Sequence, residues 1–306
     1  MRTHEGWLRN ASVAARLTAN RGDLWLPGAL GALTYLAWLP LVITVAAAPR
    51  TSDLAFLGAG LVSSELFPLN VLLIAVLLAL GVLIACLIAA LAEVSLLRAV
   101  GVGTPERSMG RDMEVALSVM LVALLPSVAV GAALISGVAA VAPAEFGAPD
   151  LGVSLPLRIA LRLMPLLAAF AILAWLGQAF GAIAVRRAVG PDALPVGRAM
   201  KGALRDLVHQ PVRRLGLALT SFLADLLAVA LALALLRILW APIGAELGGG
   251  QLISPSALLL LVGFVAIWLA VVMAFGALHV WFSTWWSLEV GALGRGAAPE
   301  PLEAQA

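Results

Sequence analysis

The sequence predicts an all-α fold: a polytopic transmembrane helical bundle of six spans, built from repeated units of an elbow helix plus a transmembrane hairpin. Three observations carry this. Of 306 residues, 62% are apolar and 12% are charged, against roughly 45–50% and 25% in ordinary soluble domains. The apolar residues gather into six runs that reach the roughly 20 residues a spanning helix needs. Short basic strings between the runs recur in the same order. The same figures exclude a soluble enzyme, a disordered chain and a disulfide scaffold. A formal net charge of +2 gives no reason to expect nucleic acid as a partner.

The first 23 residues carry Glu5, Arg9, Arg16, Arg21 and Asp23 and lack the unbroken apolar core of a signal peptide. The first apolar run is therefore expected to stay as an anchor. Ahead of it, Trp7, Leu8, Ala11, Ala14, Ala15 and Thr18 share one helical face. Glu5, Arg9, Ser12, Arg16 and Asn20 share the other, as in an interfacial helix. The expected spans are 24–48, 69–97, 115–141, 157–185, 215–240 and 256–286. Membrane strands are excluded because their hydrophobicity alternates over segments of about ten residues. Pro27, Pro40, Pro126 and Pro165 lie within or at the ends of spans, where kinks are expected but not breaks. Residues 1–296 thus read as one integral membrane domain, with a short cytoplasmic tail at 297–306.

Orientation follows from the bias of Lys and Arg toward the cytoplasm. With the N-terminus inside, fifteen of the nineteen basic residues fall on one side, and Arg50, Arg158, Arg162 and Arg237 on the other. The outer loops carry Asp53, Glu65, Glu145, Asp150 and Glu246 against Arg50 alone. Both termini are expected in the cytoplasm of a bacterium, at its inner membrane.

The internal repeat is the most informative feature. Residues Arg98-Ala99-Val100-Gly101 recur as Arg187-Ala188-Val189-Gly190, and a GRxMxxAL string at 110–117 recurs at 197–204. The lags are 89 and 87 residues. With a degenerate N-terminal copy, this divides the chain into repeats at 5–97, 108–188 and 195–290. In this pattern of a span ending in RAVG, a basic loop and GRxMxxAL, the chain resembles bacterial six-helix membrane families. These include the YciC-like proteins and the membrane domain attached to some glycerophosphodiester phosphodiesterases. The resemblance implies a membrane module; the chain departs from the second family in having no room for a phosphodiesterase domain, and no catalytic residue carries over.

Ionisable groups deep in a span are costly and are functional candidates by default. Asp225 is the deepest, near the middle of the fifth span, and Arg162, two turns into the fourth, is placed to reach toward it. The pair reads either as a helix-locking ion pair or as a proton or ion site. Arg158 and Arg162, four apart on one helix face, join Arg237 at the outer level. They either face a cavity suited to an anionic head group or substrate or snorkel to the interface. On the cytoplasmic elbow, Arg198, Lys201 and Arg205 form the wet face opposite Val196, Ala199, Met200, Ala203, Leu204 and Leu207, which predicts contact with anionic head groups. Glu93 lies in the cytoplasmic third of the second span, with Arg98 slightly beyond ideal pairing. His279 and Ser283, spaced i to i+4, look like half of a nucleophile–base arrangement or an ordinary intrahelical contact.

Other chemistry is excluded or reads as structural. Three histidines, one cysteine and no HExxH leave no metal ligand set, and no GxxxxGK[ST] is present to use ATP. No cofactor is expected. Cys86 reads as a small buried hydrophobe, and Trp281, Trp285 and Trp286 as an aromatic belt. Gly177 and Gly181 allow a close helix crossing, within the chain or between copies. The leading functional expectation is a non-enzymatic membrane module for lipid handling or scaffolding, in contact with membrane lipids and an unidentified membrane protein partner. The alternative is a small-molecule or ion transporter with a polar site near Asp225 and Arg162. An intramembrane enzyme using His279 comes third.

Overall fold

The structure is a computed structural model that describes residues 2–45, 60, 63–102, 108–146, 155–191, 193–248 and 254–291. Among these residues the regular structure is helical and there is no strand. In chain order the helices are α1 (Arg2–Asn20), α2 (Trp25–Leu33), α3 (Leu39–Val45), α4 (Leu69–Ala99), α5 (Met109–Phe146), α6 (Leu155–Arg162), α7 (Met164–Val189), α8 (Val196–His209), α9 (Pro211–Gly248) and α10 (Pro255–Val290). Five of them, α4, α5, α7, α9 and α10, are long and apolar enough to cross a membrane. The chain is a multi-pass integral membrane protein. Arg50, Asp53, Arg107, Asp150, Arg295 and the expected tail at 297–306 lie outside the described residues.

The expected first span is not one helix. Its ladder stops at α2, turns through 34–38 and restarts as α3. The local chemistry accounts for the stop. The Gly31 carbonyl accepts from the Thr34 backbone N–H (3.1 Å) and from the Thr34 hydroxyl (2.7 Å). Pro40 has no N–H to give the Leu36 carbonyl, which accepts from Leu39 N–H instead (3.1 Å). Pro40 therefore sits in the first turn of α3, where proline is tolerated. The expected fourth span is also divided: α6 ends at Arg162 and α7 begins at Met164, because Pro165 cannot bond back into α6.

The elbows differ from expectation as well. Residues 110–117 belong to the continuous helix α5, whereas the matching string at 197–204 forms the separate helix α8. Pro211 stands just beyond α8, after Gln210, while no proline interrupts 109–125. At the far end, Ser254 caps α10 by accepting from Ala257 N–H (3.1 Å) ahead of Pro255. Gly291 closes α10 at φ +72°, a left-handed conformation suited to glycine.

Packing centres on α10, and the tightest crossing is with α2. A Cβ on Gly28 would meet the Gly276 carbonyl oxygen, and one on Gly276 would meet backbone of Trp25 and Ala29. Gly177 and Gly181 both face Ala123 of α5, so that GxxxG serves packing within the chain. The main core lies at the end of the bundle where the basic residues gather. Ala90, Val94 and Leu97 of α4, Ile183 of α7, Leu217 of α9 and Phe282 of α10 meet there. By contrast, 71–84 of α4 is exposed on every side, a surface that lipid accepts because the segment is apolar all round. The tryptophans of α10 do not form an exposed belt. Trp285 and Trp286 are buried, α1 covers them through Trp7 (ring centroids 4.7 Å from Trp285), and Trp281 donates to the Ala11 carbonyl (3.0 Å).

Candidate functional site

The break at 34–38 opens on a polar pocket. A cavity of about 30 Å³ is lined by Tyr35 in the turn, Gln178 of α7, Asp225 of α9, and Phe275 and His279 of α10, with apolar neighbours from α2 and the turn. Each polar residue arrives on a different part of the bundle. Non-helical backbone at membrane depth is tolerated only where it is buried in protein or lines a cavity, and the turn does the latter. By the measure of roughly 10–15 Å³ per water, the cavity holds about two waters.

His279 connects this pocket to a second, drier cluster. Its Nε2 lies 3.4 Å from Glu93 Oε2 of α4. The same nitrogen packs on Gly31, where a Cβ would stand 2.8 Å away, and the ring lies 6.2 Å from Tyr35. Glu93 in turn pairs with Arg186 of α7 at 2.7 Å. The Arg186 side chain is 2% exposed, and burying such a charge is tolerable only when its donors are satisfied. They are. Nε donates to Ser287 Oγ (3.1 Å), Nη1 to the Ala182 carbonyl (2.8 Å), and Nη2 to Glu93 Oε1, the Ser283 carbonyl and Ser283 Oγ (2.7–2.9 Å).

This arrangement answers the expected Ser283–His279 contact. The Ser283 hydroxyl instead donates to Glu93 Oε1 (3.1 Å) while accepting from Arg186. Arg98, five residues from Glu93, pairs with Asp112 at 2.6 Å. Its counterpart in the repeated string, Arg187, pairs with Asp206 of α8 at 2.7 Å. A third cluster joins Glu289 of α10 to Arg213 of α9 and to Asn10 of α1 (2.8 Å), with Arg214 donating to the Glu289 carbonyl (2.8 Å).

No family model, curated protein or solved structure matches this chain.

The remaining candidates fall elsewhere. Arg162 does not pair with Asp225: it pairs with Glu145, at the end of α5, and Arg158 approaches the same carboxylate at 3.6 Å. Glu145 is buried and α6 is held beside the end of α5, so the arginines of α6 are drawn to the nearer acid. Arg237, on α9, is exposed and does not join them. Arg198, Lys201 and Arg205 lie exposed on α8, and so do Leu204 and Val208, while Ala199 and Ala203 are buried against the bundle. Cys86 is buried. No group of three or more His, Cys, Asp or Glu placed to hold a metal exists among the described residues.

Arg186 is the residue the sequence reading passed over, counting it only among the basic residues of one side. A signal was present. Aligning the two RAVG strings puts Arg186 opposite Leu97, and Leu97 is fully buried. An arginine standing where the matching string has a core leucine needs an acid inside the bundle.

Proposed function

We propose that the protein is a transporter of a small cation, with its site at Asp225 in the pocket beside the broken helix. The observation that carries the reading is the pocket's composition. A carboxylate, a phenol, an amide and an imidazole converge on a break in the first expected span, at a depth where each polar group is costly. Discontinuous helices that frame a polar site near the bilayer middle are a recurring device of secondary transporters. An acidic site with room for about two waters suits a proton or a small, partly dehydrated monovalent cation. Outer Arg158 and Arg162, engaged with Glu145, form no part of it.

In this reading α2 and α3 together make the first of six crossings. From Trp25 to Val45 is 21 residues, about the number a crossing of the hydrocarbon core needs. The basic end is cytoplasmic by the charge bias, both termini lie on that side, and the membrane is the bacterial inner membrane. The paired use of Arg98 and Arg187 supports duplication. No enzymatic step is included.

The lipid-contact reading is retained for one element. The exposed face of α8 combines Arg198, Lys201 and Arg205 with Leu204 and Val208, which suits an interfacial helix on an anionic leaflet. That contact supports the transporter and does not replace it. The test is reconstitution of the purified protein into vesicles, followed by flux of sodium, potassium and protons under imposed gradients. Flux above protein-free vesicles supports the proposal, and its absence for all three ions overturns it.

A further inference from the structure

We infer that Asp225 holds either a proton or one small monovalent cation, never both, and that the proton is exchanged through His279; this rests on the cation-site reading above. The argument is one of charge. Glu93 and Arg186 cancel one another at 2.7 Å, enclosed with side chains 11% and 2% exposed. Asp225 forms no ion pair among the described residues. With His279 neutral, the four groups sum to one negative charge. A proton on Asp225 brings the sum to zero, and so does a sodium or potassium ion beside the carboxylate. Both together leave one positive charge, and neither leaves one negative charge, and an uncompensated charge at this depth is the costly state.

The groups facing Asp225 support this count. His279 approaches from α10 and lies in its electrostatic reach, Tyr35 from the turn after α2, and Gln178, which does not titrate, from α7. Glu93 and Arg186 stand beyond His279, and Cys86 of α4 lies near Tyr35. Protonated His279 is the only further cation in this set. The imidazole is held in place, packed on Gly31 with its Nε2 toward Glu93. It can take the Asp225 proton from the pocket it lines, as an imidazolium whose charge the Glu93 carboxylate faces at Nε2, and give it up to the water of that pocket, returning neutral while Glu93 stays ionised against Arg186. As a cation arrives, the Asp225 carboxylic acid loses its proton, one ion replaces the other, and the charge of the site is unchanged. Eight residues separate Gln178 from Arg186 along α7, about 12 Å at the helical rise. The polar path thus runs some two helical turns from the buried ion pair into the membrane.

The test is proton release on cation binding. Purified full-length protein in nanodiscs, in weak buffer with a pH dye, is mixed with sodium or potassium chloride while calorimetry follows binding. Choline chloride, too large for the cavity, is the ionic-strength control. The inference expects close to one proton released per bound ion, none with choline, and loss of the release in Asp225→Asn. In His279→Gln, proton release should lag ion binding by about a hundredfold, the low end of what a positioned proton-transfer group contributes. Ion binding without proton release overturns the competition and leaves the cation site standing. Release that keeps pace with binding in His279→Gln overturns the relay. No binding of either ion overturns both this inference and the proposed function.

Discussion

Arg186 and Glu93, 93 residues apart in sequence, meet at 2.7 Å inside the bundle and tie α7 to α4, with Ser283 and Ser287 of α10 completing the contact. The pair is buried enough that its two halves depend on each other. Removing one partner of a buried pair strands the other charge and costs about 3–5 kcal/mol, whereas replacing both with apolar groups is often neutral. Glu93→Gln and Arg186→Met should each lower unfolding stability in detergent by that amount. The double variant should recover most of it. Equal loss in the double variant would show that the two residues act separately.

The glycines of the α2–α10 crossing make a sharper contrast. Gly28→Ala and Gly276→Ala place a methyl group on backbone that cannot yield, and overpacking of this kind costs about 1–3 kcal/mol. Gly263→Ala, on the same helix α10 but with nothing within 4 Å of the added carbon, should leave stability unchanged or raise it slightly. Thermal unfolding of the three variants in one detergent checks the ranking.

On α8, changing Arg198, Lys201 and Arg205 together to Gln should reduce the anionic lipid that stays bound through purification. Each basic residue near an anionic surface is worth about 1 kcal/mol, so high salt should mimic the variant. Native mass spectrometry of retained lipid reads the effect. Unchanged lipid occupancy would remove α8 from the membrane surface.

At the α1–α2 junction, the Arg21 guanidinium donates to Asp23 (2.8–2.9 Å for the shorter bonds) and holds its carboxyl below the usual carboxylate range. A depressed carboxyl contributes stability that is present above its unfolded value and lost as pH falls through the folded one. Protection of the Leu24 N–H, which donates to the Arg21 carbonyl, should therefore weaken at acid pH relative to Asp23→Asn. Both side chains are about half exposed, so added salt should shrink the difference. Hydrogen exchange followed at two ionic strengths measures it.

Much of the fold was legible in the sequence because lipid leaves few choices: long apolar runs must be helices. The runs that became α4, α5, α9 and α10 contain no combination strong enough to stop a helix. The break at 34–38 was hidden because Thr34 and Pro40 are each tolerated in a span. It arises from their joint effect, Thr34 capping Gly31 locally while Pro40 leaves Leu36 without its usual donor. Asp225 was singled out by depth alone, and its neighbours could not be read the same way. Arg162 was assigned to it by level in the membrane, and the structure pairs Arg162 with Glu145 because α6 packs beside the end of α5. The inward turn of Arg186 and the burial of Trp285 and Trp286 under α1 depend on which helices meet, which no single helix records.

The most direct test of the central claim compares wild type and Asp225→Asn in reconstituted vesicles under an imposed sodium or potassium gradient. The variant is nearly isosteric and removes only the charge, and Arg162→Gln serves as the control for the outer ion pair. The account predicts cation flux in wild type, flux retained in Arg162→Gln, and none above protein-free vesicles in Asp225→Asn. Undiminished flux in a folded Asp225→Asn protein would contradict it.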